Sequence, residues 1–180
     1  MNMSHCLDTF KYCPRCGSVN FSVNDERSRR CGDCGFVYYL NASAATAAFI
    51  VREGREGKEI LVGRRAAEPA KGTLDLPGGF VDPGESVTDG MIREVKEETG
   101  CEGEIVKFLF SLPNFYEFSG FRVPTADCFF EVKILDETAV FGQDDCVNME
   151  WIPIDKLRPE EFGLKSIREA VGRFQTINKK

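Results

Sequence analysis

GFVDPGESVTDGMIREVKEETGC, residues 79–101, is the stretch on which the reading of this chain turns. Pro83-Gly84 reads as a turn, because proline presets φ and glycine tolerates positive φ. Ser86 with Asp89 three residues on is a capping-box-like helix start. Val87, Met91 and Val95 then recur every four residues, the spacing of one helix face, and Gly100 ends the helix. Glu94, Glu97 and Glu98 stand at i, i+3 and i+4, so three carboxylates project from one side. Like charges at that spacing repel by about 0.2–0.5 kcal/mol per pair, so the cluster is mildly costly unless a cation sits there. Hard oxygen donors at this density suit Mg²⁺ or Mn²⁺. Arg93 is placed to reach back to Glu85, which fixes the loop onto the helix and leaves the other glutamates for metal. Taken alone, REVKEE reads equally as a solvated acidic helix face.

Spacing separates these two readings. Gly79, five residues, Glu85, seven residues, Arg93-Glu94-Val95-Lys96-Glu97-Glu98-Thr99-Gly100 and then an apolar residue resembles the box of the Nudix family. Cys101 is the one soft departure, since the family usually carries a larger aliphatic residue there. The resemblance implies an α+β fold, a mixed β-sheet between helices, and metal-assisted hydrolysis of a P–O–P bond. It implies that Glu94, Glu97 and Glu98 hold Mg²⁺ (or Mn²⁺), with the Gly79 carbonyl as a further candidate ligand. Glu85 orients Arg93, and Glu97 is the expected general base. Glu117, Asp144 and Asp145, outside the box, are alternatives for that role.

Composition narrows the class. The chain has 180 residues, 42% hydrophobic and 29% charged, which is a globular composition. Its net charge of −6 and pI of about 5.0 disfavour a general nucleic-acid binder. An enzyme acting on phosphates can still be acidic, because a divalent metal inverts the local field. No apolar run of membrane-spanning length occurs, and residues 1–10 lack the pattern of a signal peptide, so a cytoplasmic protein without membrane contact is expected.

Eight cysteines in that setting argue for metal rather than disulfides. Cys13-Pro-Arg-Cys16-Gly and Cys31-Gly-Asp-Cys34-Gly form two CxxCG knuckles, fourteen residues apart. Together they read as a closed tetrahedral site for structural Zn²⁺, in a ribbon with too little core to fold without it. Iron can occupy the same thiolate set. A redox dithiol is disfavoured because no βαβ pattern lies near. His5 and Cys6 could extend the site but read better as tail residues, and Arg27, Arg29 and Arg30 read as an exposed hairpin tip or a small anion-binding run.

The expected domains are a zinc ribbon over residues 1–40 and a hydrolase domain over 41–180. In the second, strands are expected over 42–52, 60–65 and 74–76, then the box helix, strands over 104–112, 125–135 and 147–153, and a closing amphipathic helix over 164–177. Residues 37–41 read as a join, 53–59 as a charged hairpin tip, 113–123 as an aromatic loop and 136–145 as an acidic loop. Trp151 is expected in the core.

A zinc ribbon ahead of a Nudix box resembles the NADH pyrophosphatase group, whose members split NADH and whose relatives remove NAD caps from RNA. That resemblance implies a small-molecule nucleotide as substrate, with NAD-capped RNA as a further one, and a homodimer. The group's SQPWPFPxS signature is only partly matched by Ser111-Leu112-Pro113-Asn114-Phe115-Tyr116-Glu117-Phe118-Ser119, where the first serine, first proline and last serine align. The substrate class therefore covers NADH, NAD⁺ and ADP-ribose. Arg64 at a strand end is a candidate phosphate contact, with Arg65 beside it. Phe115, Tyr116 and Phe118 are candidates for stacking on a base, with Phe121 near them. Two other functions remain open: a nucleoside triphosphate pyrophosphatase, and a non-catalytic nucleotide- or RNA-binding regulator.

Overall fold

The structure, a computed structural model, describes residues 5–55, 57–136, 140 and 146–178, apart from the side chains of Cys146 and Val147. The chain divides into two compact units, the first taking the residues up to Ala42 together with Ser119–Phe121 and the second taking Ser43–Phe118 and the residues from Arg122 on.

The first unit is a three-stranded antiparallel sheet of β1 (Phe21–Asp25), β2 (Ser28–Cys31) and β3 (Val37–Tyr39). The stretch expected to be a join is thus the third strand. Its Val-Tyr-Tyr run, of high β-propensity, pairs with β2 in the register Ser28↔Tyr39, Arg29↔Tyr38, Arg30↔Val37. The core is small: buried Cys13, Phe21 and Cys31, with Phe10, Cys34, Phe36 and Tyr38 packed against them. Arg27 sits exposed at the hairpin tip, but Arg29 does not. The Arg29 guanidinium is tied to Asp8 at 2.7 Å and to the Phe21 carbonyl at 2.9 Å.

The second unit runs β4 (Ser43–Gly54), β5 (Gly57–Arg65), β6 (Leu74–Asp75), α1 (Val87–Thr99), β7 (Gly103–Phe118), β8 (Phe121–Ile134), β9 (Cys146–Pro153) and α2 (Lys165–Asn178). This is the expected order of elements, an α+β arrangement. The sheet is ordered β6-β5-β4-β8-β7, with β9 also paired to β5. It is mixed, because β4 and β8 run parallel while β4–β5, β5–β6 and β5–β9 are antiparallel.

Alternation along β4 sets the layers. Ala47 and Phe49 belong to a core shared with Ile167, Val171 and Phe174 of α2. Ala48 and Ile50 belong to a second core shared with Met91 and Val95 of α1. Successive strand residues point to opposite faces, so the two helices cover opposite faces of the sheet. Phe49 and Phe174 stack at 4.0 Å with an 8° interplanar angle. Cys101, the soft departure in the box, is 3% exposed in the α1-side core and fills an apolar position. Trp151 is half-buried against that core, with the Arg52 guanidinium 4.1 Å from its ring centre.

Two expected loops are strand instead. The β4–β5 ladder continues through Arg52↔Glu59 and Glu53↔Lys58 to Gly54↔Gly57, so most of the expected seven-residue tip is strand. Opposite charges facing each other let a polar ladder persist, and Arg52 bonds Glu59 at 2.8 Å. Residues 113–118 extend β7, and Ser119-Gly120, at φ 49° and 72°, form a tight turn into β8. Pro113 is tolerated there because β7 stands at the end of the sheet order. Among the described residues no helix is long and apolar enough to cross a membrane.

Phe49→Ala removes half of the stacked pair and opens a void beneath α2. An unfolding free energy lowered by about 3–5 kcal/mol in urea titration is the expected result.

Candidate active site

The box folds as its chemistry dictates. The Ser86 hydroxyl accepts the Asp89 N–H at 3.2 Å and the Asp89 carboxylate accepts the Ser86 N–H at 3.4 Å, closing a capping box. Gly100, at φ 74°, donates its N–H to the Lys96 carbonyl at 2.9 Å and ends the helix. Met91, Val95 and Thr99 bury one face of α1, which fixes the direction in which Arg93, Glu94, Glu97 and Glu98 project.

Arg93 is the hub. Its Nε and Nη2 donate to the two carboxylate oxygens of Glu85 at 2.8 and 3.0 Å. Its Nη1 donates to Glu94 Oε1 at 2.8 Å and to Glu97 Oε2 at 2.9 Å, and Nη2 also reaches the Phe80 carbonyl at 3.0 Å. The expected contact with Glu85 is therefore present, but the expectation that Arg93 leaves Glu94 and Glu97 alone is corrected. A guanidinium carries five N–H donors, and one carboxylate cannot use them all. The Glu85 carboxyl is held below its ordinary pKa by the Arg93 hydrogen bonds. Burial pushes Glu94 upward, against the pull of Arg93, and Arg93 itself is raised by Glu85.

Gly78 and Gly79 bring backbone against these carboxylates. Gly78 lies at φ 153°, and a Cβ there would fall 2.1 Å from the Thr46 carbonyl oxygen. At Gly79 a Cβ would fall 2.5 Å from Glu94 Oε1. Only glycine allows the approach at Gly78, and a side chain at Gly79 would displace the Glu94 carboxylate. The Gly78 N–H donates to Glu98 Oε2 at 2.9 Å, and Glu98 is only 4% exposed. The Gly79 carbonyl accepts the Thr46 N–H at 2.8 Å.

Glu94, Glu98, Gly78 and Gly79 form one wall of a cleft of about 200 Å³. The other lining residues include a polar group. Arg65 bonds Asp75 at 2.5 Å, the Pro69 carbonyl at 2.7 Å and the Tyr116 hydroxyl at 3.3 Å. Burial raises the Asp75 carboxyl despite the opposing Arg65 charge. Asp127 accepts from Asn114 Nδ2 at 3.1 Å and from the Thr125 hydroxyl at 2.6 Å. Tyr116 meets Phe80 edge-on, with ring centres 5.6 Å apart.

The candidate substrate residues divide. Tyr116 lines the cleft, whereas Phe115 and Phe118 are 58% and 65% exposed and do not. Arg122 stacks over Phe115, 4.6 Å from its ring centre. Arg64 is exposed outside the cleft, bonding Glu150 at 3.3 Å, while its neighbour Arg65 lines it. Glu117 is exposed near Arg122, 3.8 Å away, and Asp144 and Asp145 lie outside the described residues. Asn114, Asp127, Thr46 and Phe80 are lining residues without a counterpart in the sequence reading. Strand periodicity was the missing signal: once residues 113–118 are read as strand, Asn114 and Tyr116 share one face and Phe115 takes the other.

The four cysteines form the ribbon's metal-ligand set. Cys13–Cys34 and Cys16–Cys31 sulfurs lie 3.7 Å apart, and all four lie within 4.8 Å of one another. A tetrahedron with metal–sulfur bonds of about 2.3 Å has edges of about 3.8 Å, so the set has zinc dimensions. Gly17 and Gly35, at φ 74° and 73°, turn each knuckle under the sulfurs, and the Cys34 backbone N–H draws the Cys31 thiol down to about 7. Among the described residues no other group of three or more such ligand atoms gathers this closely; the box glutamates are spread around Arg93. His5 contacts the Asp25 carbonyl and Cys6 the Glu26 carbonyl, so neither joins the sulfurs.

Residues 43–171 match the NUDIX domain model, and the chain belongs to the NUDIX family. Residues 8–39 match, in addition, the NADH pyrophosphatase zinc ribbon domain. The chain is similar to the NAD-capped RNA hydrolase NudC of Haemophilus influenzae, 31% identical over 63% of this chain and 42% of that protein. It is 28% identical to the NudC of Vibrio parahaemolyticus over 61% of this chain and 40% of that protein. These matches thus span about two fifths of the relatives' length. In fold it resembles a NUDIX hydrolase from Nitrosomonas europaea, at a TM-score of 0.75 and 20% identity over 94% of this chain and 92% of that one.

Two outcomes are expected. Because the folded pKa of Glu85 is depressed, its stabilising contribution is present above the ordinary carboxylate value near about 4.3 and disappears as the pH falls through the depressed value. Urea midpoints of wild type and Glu85→Gln should therefore differ at pH 7 and converge only as the pH falls through the depressed Glu85 value. Elemental analysis should find one zinc per chain, lost in Cys31→Ser together with the protease resistance of the ribbon.

Proposed function

We propose that this protein hydrolyses the diphosphate bond of a nucleoside diphosphate joined to a second group, the class of NADH, NAD⁺ and ADP-ribose. The carrying observation is Glu94, held by Arg93, and Glu98, held by the Gly78 N–H, lining with Gly78 and Gly79 a cleft large enough for part of a nucleotide. The similarity to proteins named NAD-capped RNA hydrolases supports an NAD-type substrate, free or at an RNA end. The four-cysteine cluster holds structural Zn²⁺, which suits a protein of the reducing cytoplasm.

Glu94, Glu97 and Glu98 would hold Mg²⁺, with the Gly79 carbonyl beside them. Their chemistry fits it: hard oxygen donors, two of them well buried, with one guanidinium partly balancing their charge. When bound, the ion neutralises charge on the phosphates and makes water more acidic. Arg93 keeps Glu94 and Glu97 oriented. Glu98 anchors the Gly78-Gly79 turn, which brings backbone close to the diphosphate. Glu97, the most exposed of the three, takes the proton of the attacking water.

The test is product analysis of the purified chain with Mg²⁺ and NADH, NAD⁺, ADP-ribose and nucleoside triphosphates. Two mononucleotides from a dinucleotide, or AMP from ADP-ribose, are expected. Glu98→Gln should cut kcat by about a hundredfold or more with its circular dichroism unchanged. Wild-type turnover in that variant, or release of pyrophosphate from triphosphates as the dominant reaction, sinks the reading.

A further inference from the structure

The polar end of the cleft is built from residues that the hydrolytic chemistry does not use. Asp127 and Thr125 are 7% and 4% exposed. The Asp127 carboxylate takes one hydrogen bond on each oxygen, from Thr125 and from Asn114. This arrangement settles which way the Asn114 amide points. A carboxylate only accepts, so Asn114 must turn its NH₂ toward it. Among the described residues, the amide oxygen of Asn114 and its second N–H have no other protein partner.

An acceptor and a donor on one fixed amide match one chemistry: a ring edge or substituent that presents a donor beside an acceptor. Adenine does so with its exocyclic amine and N7, and a primary carboxamide on a pyridine ring does so with its own N–H and oxygen. Hypoxanthine and guanine present two acceptors on the corresponding edge, and a carboxylate presents only acceptors. Two further features suit a flat ring. Phe80, 41% exposed, and Tyr116 form an edge-on aromatic pair lining the same cleft. The hydroxyl of Thr46, another lining residue, is buried with no hydrogen-bond partner among the described residues. A buried hydroxyl is normally satisfied, and a ligand group is one way to satisfy it.

We propose that Asn114, held by Asp127 and Thr125, is the specificity-determining residue that reads the amino or carboxamide group of the substrate's ring. The inference rests on the nucleotide-hydrolase reading above and adds to it the group that is recognised. Asp127 is a positioning residue, because it acts through Asn114.

The experiment uses the full chain with Mg²⁺ and two matched substrate pairs. One pair is ADP-ribose and its hypoxanthine counterpart; the other is NAD⁺ and its counterpart carrying a carboxylate in place of the carboxamide. Wild type should favour the amino or carboxamide member of at least one pair by about tenfold or more in kcat/KM. Asn114→Ala and the near-isosteric Asn114→Leu should reduce that ratio to within about twofold, by losing activity on the favoured member alone. Asp127→Asn should weaken the same preference by raising KM with kcat held. A preference that survives both Asn114 variants, or a wild type without preference in either pair, overturns the inference and leaves the hydrolase reading intact. If no substrate is turned over, calorimetric binding of the same four compounds gives the same ratio. Discrimination in binding that Asn114→Ala removes would then keep this inference and sink the hydrolase one.

Discussion

One guanidinium holds this candidate site in shape. Arg93 gathers Glu85 from the loop, Glu94 and Glu97 from its own helix and the Phe80 carbonyl from the segment between. Without a cation at that point, three carboxylates would face one another in a partly buried setting, and like charges there repel. The opposed shifts of Glu85 and Glu94 express the balance. Glu85 gains more from the guanidinium than it loses to burial, and Glu94 loses more to burial than it gains. Arginine suits this hub better than lysine, because its planar fork serves several oxygens in fixed directions.

The glycines give that hub something to act on. A side chain at Gly78 would strike strand β4, and one at Gly79 would strike Glu94. Bare backbone is therefore what connects the sheet, through the Thr46 N–H bond to Gly79, with the helix, through the Gly78 N–H bond to Glu98. Capping at Ser86 and termination at Gly100 fix where α1 begins and ends, and the buried Met91–Val95 face fixes its rotation. Each device is local, yet together they hold the carboxylates and the backbone in one place.

Much of this was legible in the sequence because it is written in short-range signals. The capping box, the i, i+3, i+4 glutamates and the doubled CxxCG knuckles each need only a few residues to declare themselves. The order of elements followed from periodicity. What stayed hidden depends on partners distant in the chain. Residues 113–118 carry a proline and a dense run of aromatics, which reads as loop until the sheet supplies β8 as a neighbour. Without that strand, Phe115 and Phe118 were indistinguishable from Tyr116 as stacking candidates, and Asn114 carried no signal. Arg64 and Arg65 are adjacent and chemically alike, and a register shift between β5 and β9 next to them blurs which one turns inward. The Asn114–Asp127 pair spans 13 positions across the β7–β8 hairpin, and no spacing in the sequence marks it.

The extension of β7 through Asn114 and Tyr116 has a consequence for how such a site can change over time. Side chains on a strand are dealt alternately to two faces, so the cleft samples every second residue of this segment. Point substitutions at 114 or 116 alter one contact at a time. A single-residue insertion or deletion upstream in the strand does something different: it exchanges the whole hand, withdrawing Asn114 and Tyr116 and presenting Phe115 in their place. The lining of this cleft is thus open to two modes of descent, one gradual by replacement and one abrupt by slippage, and the abrupt one leaves α1 untouched.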